Sequence, residues 1–562
     1  MRNIFRRKKN YSHSSINPEE VLIDGGREGS FSDDSFEGRL IKPIATRSII
    51  LLGAFFVLVF LIYSGRLWFL QVVNGDSYRE RSENNSLAHK ILFAKRGVIA
   101  DRNGEPLAWN EPISDEEFFQ REYYSHPSFG HIIGYITHPQ RDSSGFFYQD
   151  TYEAKSGVEY YFDRLLSGTN GKQLVEVNAR GEYTEGGLLF SPEDGGVVNL
   201  SIDIEMQEKM YELIESLVER VGFDGGVGLV MDLKNGELLT ATNYPGYDTS
   251  RFAHGDGDYI QELQNDPRKP FLNRYSQGLF TPGSIIKPFM SMAGLEEEII
   301  NESTQFESTG KLVVPNPYNP DLPSVFTDWK AHGWVNVRDA ISVSSNIFFY
   351  HLGGGYGGRE GLGIWKISEY MKKFGFGVEL GEEYFKGPVG TIPDPDWKRE
   401  IFDDDWRVGD TYFTSIGQYG FQITPLQALR ATSSIATGEI IEPTLEKDSK
   451  KEVRDDIDFI SDKNQKIVQE GMRMAVLEGT AKGLKRDHLE VAAKTGTAEL
   501  GASKSNVNSW VIGYFPYDKP RYAFTIMMEK GPRDNYLGGV FIMSQFMDWM
   551  LLNKYEYFRE DF

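Results

Sequence analysis

The chain has 562 residues, long enough for more than one folding unit, and a quarter of them are charged. Its 82 acidic against 60 basic side chains leave a net charge of −22, which argues against a general nucleic-acid binder. It contains no cysteine, so it can have no disulfide framework, thiol nucleophile, cysteine-ligated metal or lipoprotein anchor.

From Asn10 to Leu40 the chain is rich in Ser, Asp, Glu and Gly with few large apolar groups, which predicts disorder and makes residues 1–47 a tail. From Ser48 to Gly65 no residue is charged, and Ile, Leu, Phe and Val dominate. That length is close to the minimum for a membrane-spanning helix. Tyr63 and Trp68 suit an interfacial belt, so the anchor is placed at 48–70. A cleaved signal peptide is disfavoured, because the leading region is too long and no small-x-small site follows Val73. Arg39, Lys42 and Arg47 on one side balance Arg66, Arg79 and Arg81 on the other. The cluster Arg6-Arg7-Lys8-Lys9 tips the N-terminus toward the cytoplasm.

Residues 71–202 read as a separate module, with β-like stretches at Lys90 to Ala94 and Gln173 to Asn178 broken by glycine-rich turns. Gly168-Thr169-Asn170-Gly171-Lys172 is too short for a phosphate-binding loop. A third region, 203–562, opens with Met206, Met210, Leu213, Ile214, Leu217, Val218 and Val221 on one helical face. Gly226 to Asp232 and Glu237 to Thr242 flank Lys234-Asn235-Gly236, which predicts a hairpin. Asp256-Gly257-Asp258 reads as a loop rather than a metal site, since further ligand positions are missing. Leu489 to Ala493 predicts a buried strand; Ser509 to Phe515 and Tyr522 to Met528 predict two more, and Val540 to Leu552 a last helix. Helix, two strands, a helical insertion, three strands and a helix make a mixed α/β domain.

Three short motifs in this region carry chemistry. In Ser284-Ile285-Ile286-Lys287 the serine needs a neighbour to take its proton, and Lys287 lies one helical turn on, on the same face. Thr281-Pro282-Gly283 breaks the chain before Ser284, and an apolar helix comes after it, so Ser284 sits at a helix N-terminus. Its own N–H is then free to face a developing oxyanion. In Ser344-Ser345-Asn346, Ser344 offers a hydroxyl relay and Asn346 an amide that holds substrate or Lys287. In Lys494-Thr495-Gly496-Thr497, Lys494 supplies positive charge and the threonine hydroxyls can take a substrate carboxylate. The Thr497 N–H can complete an oxyanion pair with that of Ser284. A second S-x-x-K string, Ser308 to Lys311, has Gly310 beside its lysine and reads as a solvated loop.

This order of motifs is that of the penicillin-recognising serine enzymes. The chain further resembles the class B penicillin-binding proteins, which cross-link peptidoglycan. Arg96-Gly97-Val98-Ile99-Ala100-Asp101-Arg102-Asn103-Gly104 resembles the family's membrane-proximal motif. His131-Ile132-Ile133-Gly134-Tyr135 and Gly157-Val158-Glu159 resemble later ones. Gly417-Gln418 and Thr424-Pro425-Leu426-Gln427 resemble the segment before the K-T-G motif, with Tyr419 where the family has glycine. The resemblance implies an antiparallel sheet with helices on both sides in 203–562, and a pedestal in 71–202 that lacks the head subdomain of many relatives. It implies one anchor in the cytoplasmic membrane and an extracytoplasmic body. It also implies serine-type D,D-transpeptidation of peptidoglycan stem peptides, acylation by β-lactams, no metal or organic cofactor, and pairing with a polytopic glycan polymerase of the elongation or division machinery. Asn84-Asn85 and the Leu70 to Asp76 stretch are similar to elongation-type members; the short pedestal is not. A β-lactamase would need a base for the acyl-enzyme, and Glu360, Glu369 and Glu382 lie in no such motif. A β-lactam sensor would call for a cytoplasmic effector, and a non-catalytic scaffold would not need three intact motifs.

Overall fold

The structure is a computed structural model and describes residues 46–76, 78, 87–114, 116–143, 147–177, 183–316, 319 and 321–559. The tail from Asn10 to Leu40, the Arg6 to Lys9 cluster, Arg39, Lys42, Arg79, Arg81 and Asn84-Asn85 lie outside them. The chain divides into two units, Met1–Leu87 and Ala88–Phe562. In the first, the uncharged run winds into a helix, Thr46–Trp68, that ends in a π-helical turn, Phe69–Val73. From Ile49 to Val73 it is long and apolar enough to cross a membrane, and its Ile, Leu and Phe side chains are exposed. A helix apolar on every side has no face to keep in water.

The second unit begins with two small sheets. Leu87–Leu92, Gly171–Val177 and Tyr183–Phe190 form one, close to the two β-like stretches expected. The other orders Val198–Asn199, Ile99–Ala100, Pro106–Pro112 and Phe119–Tyr123, the last two as an antiparallel hairpin. Buried charge ties this module together. Glu159, fully buried, accepts from Arg96 Nε at 2.5 Å and from Arg121 Nε at 2.7 Å, so two of the sequence motifs meet at one carboxylate. Gly134 and Gly157 touch backbone to backbone; a Cβ on Gly134 would lie 1.9 Å from Ser156 O. The module is also bonded to the region C-terminal to it. Arg102 donates to Glu237 Oε2 at 3.4 Å, and His131 Nε2 meets Pro270 O at 2.8 Å.

The rest is a mixed α/β fold around one five-stranded antiparallel sheet. Helix α1 (Ile204–Val221), capped by Asp203, leads into strands β1 (Gly225–Asp232) and β2 (Leu238–Tyr244). A helical insertion holds α2 (Lys287–Glu296), α3 (Val337–Val343), α4 (Asn346–Gly354) and α5 (Pro425–Thr437). Strands β3 (Ala492–Leu500), β4 (Asn506–Phe515) and β5 (Tyr522–Pro532) and helix α6 (Gly539–Asn553) close it. The order across the sheet is β2-β1-β5-β4-β3. Met206, Met210 and Ile214 of α1 and Ile542, Phe546 and Met550 of α6 bury one sheet face against Val230, Phe524 and Ile526. Val227, Leu229 and Met527 belong to the other face's core, with Phe289, Met290 and Leu429 of the insertion. Alternation along each strand therefore feeds two cores.

Two expectations need correction. The strand foreseen at Leu489 to Ala493 starts at Ala492 and runs through the K-T-G motif to Leu500. Lys494 to Thr497 pair residue by residue with Ile512 to Ser509, so the motif is itself part of the strand. Ser308, read as part of a solvated loop, ends a short strand, Phe306–Ser308, and is 1% exposed. Only Gly310, at φ +92°, behaves as the expected turn.

Candidate active site

Ser284 lies on a short 3-10 turn, Gly283–Ile286, that feeds directly into α2 with Pro288 in its first turn. The turn leans on β3: a Cβ on Gly283 would come 3.1 Å from Thr497 O, and one on Gly496 would come 2.9 Å from Pro282 O. Trp510 of β4 donates its Nε1 to Thr281 O at 3.0 Å and fixes the approach to the turn. From the far side Gly417 O accepts from Gly283 N at 3.0 Å, and Gly417 has no room for a Cβ, which would lie 2.2 Å from Gly283 O. The Gly417-Gln418 segment is thus a brace for the Ser284 turn.

Tyr419, in the position of a family glycine, takes the left-handed backbone that glycine favours, at φ +63°. That conformation costs a non-glycine residue about 1–2 kcal/mol. Trp397 and Trp406, each with ring centroid 5.9 Å from that of Tyr419, pack against its ring and offset the cost. Thr424-Pro425-Leu426-Gln427 proves to be a helix start. Thr424 caps α5 with a reciprocal Gln427 bond, and Pro425 fills the first turn.

Ser344 and Asn346 stand at the joint between α3 and α4. Ser344 is the residue that ends α3, in the left-handed conformation at φ 59°, and Ser345 caps α4. Lys287, fully buried, reaches across to this joint. Its Nζ donates to Asn346 Oδ1 at 2.7 Å, Ser344 O at 2.9 Å and Ser344 Oγ at 3.3 Å. Lys494 arrives from β3, also fully buried, and donates to the same Ser344 Oγ at 2.9 Å and to Thr495 O at 2.7 Å. One hydroxyl therefore links two lysines.

Burial drives the Lys287 ammonium from its ordinary 10.5 down to about 7, against the negative charge of Asp328, which pulls it up. Lys494 is held well below the ordinary lysine range, first by burial and then by the positive charge of Lys287. Two buried amines that share one hydroxyl favour a state with fewer than two positive charges.

The structure brings together Ser344, Asn346, Lys287 and Lys494 by direct bonds, and it sets the Ser284 turn against the strand bearing Thr495, Gly496 and Thr497. Thr495 Oγ1 lies 2.7 Å from Thr480 Oγ1, a partner the sequence did not reveal, and Thr497 is exposed at the strand's edge. Asp256, considered for a metal, instead caps the helix Gly257–Asn265 and bonds Arg251. Sequence reasoning missed Asp328, which belongs to no motif. Its buried carboxylate Oδ2 accepts from Ser345 Oγ and Asn346 N, each at 2.8 Å.

Residues 226–541 match the family model "Penicillin binding protein transpeptidase domain", and residues 113–200 match "Penicillin-binding Protein dimerisation domain". The chain is 26% identical to the peptidoglycan D,D-transpeptidase MrdA of Haemophilus influenzae, over 82% of this chain and 85% of the relative. It is 28% identical to the MrdA of Acinetobacter baumannii, over 89% and 86%. Among solved structures it is similar to Helicobacter pylori PBP2, solved in complex with MreC, with a TM-score of 0.68 and 27% identity over 84% of this chain and 99% of that one. Pseudomonas aeruginosa PBP2 gives 0.67 and 25% over 83% and 98%. The chain belongs to the penicillin-binding protein transpeptidase family.

Proposed function

We propose that this chain is a membrane-anchored peptidoglycan D,D-transpeptidase acting through a serine acyl-enzyme, with Ser284 as nucleophile. The observation that carries the reading is the Lys287–Ser344–Lys494 chain, buried beside the turn that presents Ser284. Ser284 Oγ attacks the carbonyl carbon between the two terminal D-alanines of a stem peptide, and its proton passes to neutral Lys287. The Ser284 and Thr497 N–H groups hold the oxyanion, at about 3–4 kcal/mol per donor in comparable sites. As the peptide C–N bond breaks, Ser344 relays a proton to the departing D-alanine amine. Lys494, Thr495, Gly496 and Thr497 hold that residue's carboxylate, and Asn346 positions the substrate amide. An amine of a neighbouring stem then attacks the acyl carbon and frees Ser284. A β-lactam takes the place of the D-alanyl-D-alanine end and leaves a slowly lost acyl-serine.

The proposal assigns residues 1–47 to a cytoplasmic tail, 48–70 to a single anchor, 71–202 to a pedestal without a head, and 203–562 to the catalytic domain outside the membrane. The apolar helix Ile49–Val73 supports the anchor. The match of 113–200 to a dimerisation module supports the pedestal. A polytopic glycan polymerase is the partner assigned to anchor and pedestal, and the complex of the Helicobacter pylori relative with MreC supports a multiprotein setting.

The test is fluorescent penicillin on the full-length chain in detergent, beside Ser284→Ala, with the label chased over hours. Label on the wild type alone, lost slowly, is the expected result. Label on Ser284→Ala overturns the nucleophile, and loss within minutes moves the assignment to a β-lactamase.

A further inference from the structure

Ser344 is a non-glycine residue in the left-handed region, at φ 59° and ψ 41°, with its hydroxyl placed between two lysines. A conformation of that kind costs about 1–3 kcal/mol and persists where its surroundings over-determine it. The surroundings here come from one short loop, Thr327-Asp328-Trp329. Trp329 Nε1 donates to Val343 O at 3.2 Å, just before Ser344. Just after it, Asp328 Oδ2 accepts from Ser345 Oγ and Asn346 N at 2.8 Å and from Ile347 N at 3.1 Å. Ser308 Oγ reaches the same oxygen at 3.2 Å, and Trp329 N meets Oδ1 at 2.9 Å. Thr327 O accepts from Asn346 Nδ2 at 3.4 Å. The Asp328 side chain is 0% exposed, and it lies against the first turn of α4, where the helix's own N–H groups favour an anion.

We propose that Asp328 is a positioning residue for acylation: its carboxylate clamps Ser345-Asn346-Ile347 and so sets the Ser344 hydroxyl and the Asn346 amide against Lys287. This rests on the reading of Ser284 as nucleophile and Lys287 as base. The clamp acts in two ways. By geometry, it fixes the groups that accept from Lys287 Nζ. By charge, it opposes the burial that strips Lys287 of its proton. Other titratable groups facing this centre are Lys494, which shares Ser344 Oγ, and His332, whose Nε2 lies 3.8 Å from Asp328 Oδ1. Tyr350 of α4, whose hydroxyl donates to Thr327 O at 3.2 Å, is raised above its ordinary value by burial and by the Asp328 charge, and the charge of Lys330 acts on His332. His332 is held below its ordinary value, chiefly by burial. Removing the Asp328 charge therefore lets Lys287 give up its proton at a lower pH.

The experiment measures the acylation rate constant with fluorescent penicillin from pH 5.5 to 9 on full-length wild type, Asp328→Asn, Asp328→Glu and Ser284→Ala. Asparagine keeps the shape and loses the charge; glutamate keeps the charge and shifts it. Expected for Asp328→Asn is a rate lower by about 10–100-fold at the plateau, from the loss of charge-assisted hydrogen bonds. Its acid limb is expected to move to lower pH. Asp328→Glu is expected to keep the wild-type acid limb with a reduced plateau. A merely structural aspartate would lower the amount of active protein and leave the limb in place. An unmoved limb in Asp328→Asn, or one displaced to higher pH, overturns the proposal. Where Asp328→Asn does not fold, Asp328→Glu at the full wild-type rate overturns it, and a reduced plateau on an unmoved limb supports it. Label on Ser284→Ala is a separate result, which removes the nucleophile on which the proposal rests.

Discussion

Replacing Lys287 with methionine should destroy acylation and, at neutral pH and below, make the protein more stable. Burial takes the Lys287 ammonium from 10.5 to about 7. Below pH 7 the folded and unfolded chains both carry that proton, and holding it in the buried site costs on the order of 5 kcal/mol. Methionine fills nearly the same space with nothing to desolvate. Against this stand the bonds to Asn346 Oδ1 and Ser344 O, whose loss costs roughly 1–3 kcal/mol in all. Asp328 keeps all its donors. The balance favours the variant by roughly 2–4 kcal/mol at pH 6.5. The sign then turns with pH. Between about 7 and 10.5 the unfolded chain binds a proton that the folded chain does not, so the wild type gains about 1.4 kcal/mol per pH unit relative to the variant. The two should be equally stable near pH 9. Paired urea unfolding curves at pH 6.5, 8 and 9.5 read this, together with the upward shift of Lys494 and His332 once the Lys287 charge that helps to lower them is gone. A variant less stable than wild type at pH 6.5, or a difference that does not move with pH, would refute the account of Lys287 as a buried, proton-shedding amine.

Gly417→Ala should cost about 2–4 kcal/mol, since a Cβ would press on Gly283 O at 2.2 Å from a backbone at φ +75°; a penicillin acylation rate equal to wild type would show that the brace does not control the Ser284 turn. Glu159→Gln leaves the Arg96 and Arg121 guanidinium groups buried without their shared charge, for a loss of about 3–5 kcal/mol. It should lower the first thermal transition while the protein still folded is acylated at the wild-type rate, and an unchanged transition would mean that water already screens the pair.

What the sequence disclosed was local. Ser284 and Lys287 lie one turn apart, Lys234-Asn235-Gly236 marks the hairpin between β1 and β2, and the apolar residues of α1 repeat along one helical face; each is legible from neighbouring residues alone. The K-T-G strand was placed too early because Leu489 to Ala493 is the more apolar run. Pairing with β4, rather than hydrophobicity, carries the strand through Lys494 and Thr495. Ser308 was misread for the opposite reason. Gly310 does make a turn, yet Ser308 before it is buried, and its hydroxyl is bonded to Asp328, 20 residues further along the chain. Asp328 itself sits in a polar stretch, Thr327 to Gly333, that has the composition of a solvated loop. Nothing in its neighbours announces that its carboxylate gathers donors from α4. The bonds that hold Ser344 in a strained conformation thus run across the fold, while the residues that do the chemistry are spelled out along the chain. Nucleophile and base need fixed spacing on one element, so sequence records them; the groups that fix their orientation need only arrive in space, and many loops can deliver a carboxylate to a helix start.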